Sequence, residues 1–525
     1  MKAISIFNHV LGPVMRGPSS SHTAGAFHIA SMARSLLGGT PKKAVLTFDP
    51  NGSYAATYVA QGADRGFAMG LLGKPLTDDS FFTALDDARA AGMQLEFRTE
   101  PLPGADHPNT TDLELTAASG RSLRLVARSV GGGAVEITRI DGRSVLFDGV
   151  SHEILVEVPA ERAEAARDLL ADDGKLLEAP ERAGTGGVIR WTAKRKEPLA
   201  AAARQELESL DPQARVWQSA PVYFVPRGEP LFASAAEILE IAEEKNWSLG
   251  QVALAHESQL LGLSEAEVIA EVLRRYDVME QSVERGLDPE FSGLQFLPGC
   301  AGSIFQAEAE GRLSVRGLHT RAAARALAVM HVDGAMGVVC AAPTGGSAGV
   351  IPGTLVTLEE ERNLDRDQIA LALLSAGAVG AVLAVRSTFA AEVAGCQVEI
   401  GASGAMAAAA VVDAVGGSAR QACDAAAIAL QNTMGTVCDL LHGTVEIPCH
   451  TRNAAAAASA FVNADLVLGG YTNFIPLDET IDAVHAVGLA MPPELRCTSK
   501  GGLAATPSAR ALKPGRESRG CAGCG

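Results

Sequence analysis

The sequence predicts an α+β protein. It divides into a mixed α/β domain over 1-150, a small βαββαβ module over 151-226, an all-helical Ala- and Gly-rich domain over 227-506, and a tail over 507-525. Three observations lead there. Strand-like and helix-like periodicities alternate through the first 150 residues. A compact run of four strand-like and two helix-like segments follows. Charge then thins along the chain: 42 of the 140 residues from 151 to 290 are charged, but only 24 of the 170 from 331 to 500. A stretch so poor in charge has to bury most of its surface, in its own core or against a partner.

The elements follow in order. AGAFHIASMARSLL and SFFTALDDARAAG have helical spacing, whereas AVEITRIDG and LFDGVSHEILVEV carry the β-branched alternation of strands. Residues 152–225 read HEILVEVP (strand), ERAEAARDLLA (helix), GKLLEAP and GGVIRWTAK (strands), LAAAARQELESL (helix) and RVWQSAPVYFV (strand). That order is ferredoxin-like, the shape of ACT-like regulatory modules, and does not by itself say what is bound. Pro226, Gly228 and Pro230 mark a boundary before the amphipathic EILEIAEEKNWSLGQVALAHES. MAAAAVVDAV, ARQACDAAAIALQNTM and NAAAAASAFVNADLVL then give a helical, small-residue texture that lets helix axes approach closely.

Composition narrows the function classes. The 525 residues are 47% apolar and 20% charged, with a net charge of −17 and no Lys/Arg face, so neither nucleic acid nor an anionic membrane is an expected partner. The apolar stretch 369–385 is just short of a usual span and is expected to be a buried core helix. The N-terminus is too polar for a signal core. All nine cysteines lie between Cys300 and Cys524, which without a secretory signal suggests reduced thiols or metal ligands and a cytoplasmic setting.

Several residues could carry chemistry. Cys396, Cys438 and Cys449 sit in loop-like stretches, and their separations are not those of a zinc ribbon. Three such thiolates could hold three irons of a cubane cluster and leave one iron open; on spacing alone they read first as small core residues. Cys300, Cys340 and Cys423 read as core. Ser19, Ser20, Ser21, His22 and Thr23 precede a helix near Ala24, either as an anion-binding turn or as a plain cap. Asp106-His107-Pro108-Asn109-Thr110 is a second polar loop. Gly131-Gly132-Gly133 could cradle an anion or form a tight turn. Thr344, Gly345, Gly346 and Ser347 form a polar loop inside an apolar region, which must satisfy its own backbone or face a ligand.

Taken together, these motifs resemble a known family. GPVMRGPSSSHTAGA, DHPNT (106–110) and VGGGAVEIT (130–138) resemble the β portion of bacterial iron–sulfur L-serine dehydratases (L-serine ammonia-lyases). EILEIAEEKNWSLGQVALAHES, MGVVCAAPTGGSAGVIPG, AGCQVEIGASGAMAAAA, VCDLLHGTVEIPCHTRNAAAAA and GGLAATP resemble the α portion, in the same order. The chain therefore looks like a single-chain fusion with the ACT-like module between the two portions.

The resemblance implies a [4Fe-4S] cluster on Cys396, Cys438 and Cys449, with one iron not held by them. It implies conversion of L-serine to pyruvate and ammonia, and a substrate site formed by Ser19, Ser20, Ser21, His22, Thr23, His107, Asn109 and the loop at Thr344 and Gly345. His22 and His107 are the expected proton-transfer groups, and a homodimer the expected assembly. Many members carry a His in GHGTD where this chain has Gln61, which cannot act as a base; His442 follows the CDLL stretch, and Cys497 replaces the Glu of the family's RET. Cys521 or Cys524 could cap the open iron. The runner-up substrate is L-cysteine or another 3-substituted 2-amino or 2-hydroxy acid. A pyridoxal phosphate enzyme would need a Schiff-base lysine by a phosphate loop, a setting Lys500 lacks. A non-catalytic amino-acid sensor built on 152–225 would not need the cysteines.

Overall fold

The computed structural model describes residues 3–171, 173–184 and 187–514. Helix and sheet are both abundant, as an α+β protein requires. Near the N-terminus, helix Gly25–Leu37 buries Ala26, Ile29, Ala30, Ala33 and Leu36 at helical spacing and ends at Gly38, whose φ of 88° needs no Cβ. That stripe lies against a six-stranded sheet, in the spatial order Gln94–Thr99, Lys43–Phe48, Thr110–Thr116, Ser122–Gly131, Ala134–Ile140 and Arg143–Phe147. Only the first pair is parallel. In Ser122–Gly131 every second residue is buried, the period-2 pattern of a sheet with one face on a core.

A second sheet is wholly antiparallel, in the order Arg215–Ser219, His152–Pro159, Val188–Arg195 and Glu181–Ala183. Helices Ala163–Ala171 and Ala201–Ser209 connect its strands. Ile154, Val156, Val158, Trp191 and Val216 form its own core. The expected strand GKLLEAP is not one: only Leu176 bridges to Arg195, and the edge strand falls at Glu181–Ala183. Residues 173–178 are exposed or only partly buried, Leu176 and Leu177 included, so little apolar burial holds that edge in register.

The helical half is centred on Ile400–Ala414, in which every residue is buried. Alanine and glycine dominate it, so the surrounding helices Val350–Arg362, Arg366–Arg386, Ala419–Thr433 and Cys449–Leu468 can close on it from all sides. Arg366–Arg386 is long and apolar enough to cross a membrane, but 78% of its most apolar window is buried inside the fold, as expected of a core helix. Side-chain caps at Ser248, Ser264, Asp365 and Ser418 each answer a Gln or Glu three residues on.

Two devices join the halves. Ile4, Ile6, Phe7, Val10 and Leu11 lie in the helical core, pinned where buried Glu257 accepts from Ser5 Oγ and from the Ile6 and Phe7 amides. Strand Val14–Arg16 then pairs antiparallel with Val338–Cys340. Close helix approach also sets a limit at Gly286, where a Cβ would lie 1.9 Å from the Ala328 carbonyl oxygen of the neighbouring helix Leu318–Gly334. Gly286→Ala is expected to destabilise the protein by about 1–3 kcal/mol, read as a lower unfolding midpoint. An unchanged midpoint would mean that these helices separate freely.

Candidate active site and thiol centre

Chain entry and exit around the central helix bring the cysteines together. Cys396 opens a tight turn, Cys396–Val398, just before Ile400–Ala414, and Cys449 is the first residue of Cys449–Leu468. Cys438 lies in the segment between Thr433 and Leu441. The chain at 495–497 runs alongside it: the Cys438 amide donates to Leu495 O (2.8 Å) and the Cys497 amide to Cys438 O (2.9 Å).

One ligand atom each from Cys396, Glu399 and Cys438 lie within 4.8 Å of one another. The Cys396 and Cys438 thiols are close enough to act on each other's charge state, and Cys497 acts on Cys438 in the same way. Cys449 lies outside the 4.8 Å group but within electrostatic reach of Cys396 and Glu399. The Cys438 contact and burial push the Cys396 thiol far above the usual range. For Cys438 the Cys396 interaction favours the thiolate, and Cys497 and burial outweigh it. Burial, then the charges of Cys396 and Glu399, raise Cys449. At Cys497 the Cys438 interaction favours the thiolate, but burial together with the charges of Glu392, Glu399 and Cys396 holds the thiol near 11.

Such crowding is unfavourable for bare thiolates and suits a bound cation, which reverses the local preference for the protonated form. The soft donor set fits an iron–sulfur or other thiophilic metal. Arg452 adds positive charge, with Nη1 3.9 Å from Cys396 Sγ and an ion pair to Asp439 at 3.0 Å. The seven described cysteines are all free. Cys340 and Cys423 are buried as expected; Cys300 is only partly buried, because it sits at a helix start with its thiol 3.6 Å from His331 Nε2. Cys521 and Cys524 lie outside the described residues.

The first-half loops meet at a single carboxylate, Glu392, in the short helix Ala391–Ala394. Ser21 Oγ donates to its Oε1 at 2.9 Å and Asn109 Nδ2 at 3.0 Å. His22 is buried, with Nδ1 3.0 Å from Ser19 Oγ and 3.1 Å from Ser21 Oγ, and Nε2 3.0 Å from Ser53 Oγ. Burial lowers its pKa to about 4, with the Glu392 charge opposing, so the imidazole is neutral at pH 7. His107 is lowered by burial too, and its Nδ1 accepts from the Asn109 amide at 3.1 Å.

The third element is the Thr344 loop. The Gly345 amide donates to Ser20 Oγ at 3.4 Å, and Asn453 Nδ2 donates to Gly346 O at 2.9 Å. A Cβ on Gly346 would sit 3.7 Å from both Glu399 carboxylate oxygens. Burial and then the Glu392 charge push the Glu399 pKa up to about 8, with the nearby Thr344 hydroxyl opposing. Glu399 thus lies between the loop and the thiols.

Other expected residues lie elsewhere or are already engaged. Thr23 Oγ1 donates to Gln61 O at 2.6 Å, tying the two segments together. Gln61 Nε2 donates to Gly443 O at 2.8 Å. His442 stacks on Phe296 and its Nε2 pairs with Ala509 O at 2.8 Å, so it faces the C-terminal turn. Gly131-Gly132-Gly133 is a close-packed turn with φ of 104°, 62° and 85°, in which a Gly131 Cβ would meet Ala390 N at 2.9 Å. A groove of about 680 Å³ on the six-stranded sheet, lined by Thr47, Arg98 and Arg124 among others, shares none of these thiol, His22 or Glu392 residues.

Sequence reasoning missed Glu392, Glu399, Ser53 and Asp333. Asp333 is fully buried with both carboxylate oxygens unpartnered, and burial followed by the Glu399 charge raises its pKa strongly. Glu399 alone had an available signal, standing three residues after Cys396 in CQVE.

Comparison with known proteins gives the relationship. The serine dehydratase alpha chain family matches residues 237–504. A probable L-serine dehydratase alpha chain of Bacillus subtilis (strain 168) is 40% identical over 284 residues, covering 54% of this chain and 94% of the relative. The L-serine dehydratase alpha chain of Peptoniphilus asaccharolyticus is 34% identical over 281 residues, 53% of this chain and 96% of its own. A probable beta chain from the same Bacillus strain is 42% identical over 156 residues, 30% of this chain and 69% of the relative. The chain belongs to the serine dehydratase family, with alpha- and beta-chain sequence carried on one polypeptide.

Proposed function

We propose that this protein is an L-serine ammonia-lyase, a cytoplasmic enzyme that converts L-serine to pyruvate and ammonia with a [4Fe-4S] cluster on Cys396, Cys438 and Cys449. The observation that carries the reading is the meeting of two half-sites. A neutral imidazole at His22 stands among Ser19, Ser21 and Ser53, and the cysteine set is joined to the Thr344 loop through Glu399. The cluster, when bound, supplies a Lewis-acidic iron outside the three thiolates that makes the substrate hydroxyl a leaving group.

The chain supplies the rest. His22, neutral at pH 7, accepts the α-proton at one ring nitrogen, with His107 beside it. The Ser19, Ser20 and Ser21 hydroxyls and the Gly345 amide orient the carboxylate. Loss of the α-proton and of the hydroxyl as water leaves aminoacrylate. That tautomerises to an imine and takes up water to give pyruvate and ammonia. Thr23 acts by holding the loop. Residues 151-226 serve as an ACT-like regulatory module. A homodimer is supported by exposed Val462, Leu466, Tyr471, Phe474 and Ile475 at the end of one helix and in the loop after it.

The test is pyruvate release from L-serine by anaerobically purified protein, before and after exposure to air. Activity that air destroys is expected. Air-stable turnover would sink the iron assignment, and iron-loaded but inactive protein would move the substrate to L-cysteine or another 3-substituted acid.

A further inference from the structure

Glu392 is 9% exposed and carries two hydrogen bonds on Oε1, yet among the described residues nothing donates to its Oε2 and no lysine or arginine pairs with it. An isolated buried carboxylate is costly unless a cation or strong donors meet it. The adjoining imidazoles do not supply that charge, since burial holds both His22 and His107 below the ordinary histidine range. A second observation stands next to it. Asn109 is fully buried, its Nδ2 is spent on Glu392, and its Oδ1 has no partner. The result is a carboxylate with one oxygen left over beside an unused carbonyl acceptor.

We propose that the Glu392 carboxylate and the Asn109 carbonyl oxygen form the subsite for a substrate α-ammonium group. The centre then discriminates 2-amino acids from the matching 2-hydroxy acids. An ammonium brings three N–H donors and the missing positive charge; a hydroxyl in its place brings one donor and leaves the carboxylate uncompensated. The inference rests on the reading that a small 3-substituted acid binds between His22 and the thiols, and it names the specificity residue of that site.

The test uses L-alanine and L-lactate, which differ only at the α-substituent and have no leaving group to lose. Binding of each to the anaerobic holoenzyme is measured by calorimetry. Wild type is expected to hold L-alanine roughly 100-fold more tightly than L-lactate, because a buried polar site strongly rejects the analogue lacking its partner. In Glu392→Gln the ratio is expected to collapse to about threefold, with L-lactate affinity unchanged. Equal wild-type affinities, or a parallel loss of both ligands in the variant, overturn the subsite; the second result would make Glu392 a residue that only positions Ser21 and His22. If the variant fails to fold, equal wild-type affinities still overturn the subsite. Discrimination without pyruvate formation from L-serine would leave the subsite standing and overturn the proposed reaction.

Discussion

Cys396→Ser, Cys438→Ser and Cys449→Ser are each expected to reduce bound iron to about a tenth or less of wild type and to abolish turnover of L-serine. The argument is one of charge and crowding. The ligand atoms of Cys396, Cys438 and Glu399 lie within 4.8 Å of one another; the Cys438 contact and burial disfavour the Cys396 thiolate, and Cys497 and burial disfavour that of Cys438. A bound metal relieves that penalty and a lost ligand restores it, so occupancy falls with each substitution. Serine is nearly isosteric with cysteine, so circular dichroism is expected to stay native. Cys423→Ser, buried against the helical core away from this group, is the control and is expected to keep its iron. Iron and acid-labile sulfide per chain are the measurements. A Cys396 or Cys438 variant with full iron and full activity would remove the thiol centre from the reaction.

The second large effect is expected at His22. His22→Ala should lower kcat by roughly 10²–10⁴-fold while leaving iron content unchanged, the range for loss of a positioned general acid–base group. The imidazole is buried among Ser19, Ser21 and Ser53, and no other described histidine has its ring against the Ser19–Ser21 hydroxyls. Its depressed pKa also fixes a sign. His22 is neutral and able to accept a proton above about pH 4 and is lost as a base only as pH falls through that value. The acid limb that it contributes to kcat/KM is therefore expected well below the ordinary histidine value near 6.5. An inflection near 6.5 that disappears in His22→Ala would show that the imidazole titrates normally and that its burial has been misjudged. His107→Ala, partly exposed and lowered less, is the companion measurement.

Much of the architecture was legible because it rests on local periodicity. Helix Gly25–Leu37 and strand Ala134–Ile140 each bury a face whose spacing is written in consecutive residues, and the Ala-rich helix Ile400–Ala414 is apolar enough to be buried all round. The edge strand near 181–183 was misplaced because hydrophilic, exposed residues carry no burial signal to set a register. The site was half legible. Cysteines and the Ser-Ser-Ser-His run stand out by chemistry alone, whereas a glutamate in an alanine-rich stretch does not.

The sequence by itself determined which atoms are on offer: three cysteines in turns around a buried helix, a hydroxyl-rich loop with an imidazole, a polar turn ending in Asn109, and the family to which their order belongs. Only the tertiary structure decided their company. Ser21 and Glu392 are 371 residues apart in the chain and Asn109 and Glu392 are 283 apart. Pairing the strand Val14–Arg16 with Val338–Cys340, and sinking Ile4 to Leu11 into the helical core, is what carries the first loop to the second half. Periodicity reports which face a residue turns toward a core. The charge state of a carboxylate or an imidazole depends instead on what else has been buried beside it, and long-range packing sets that.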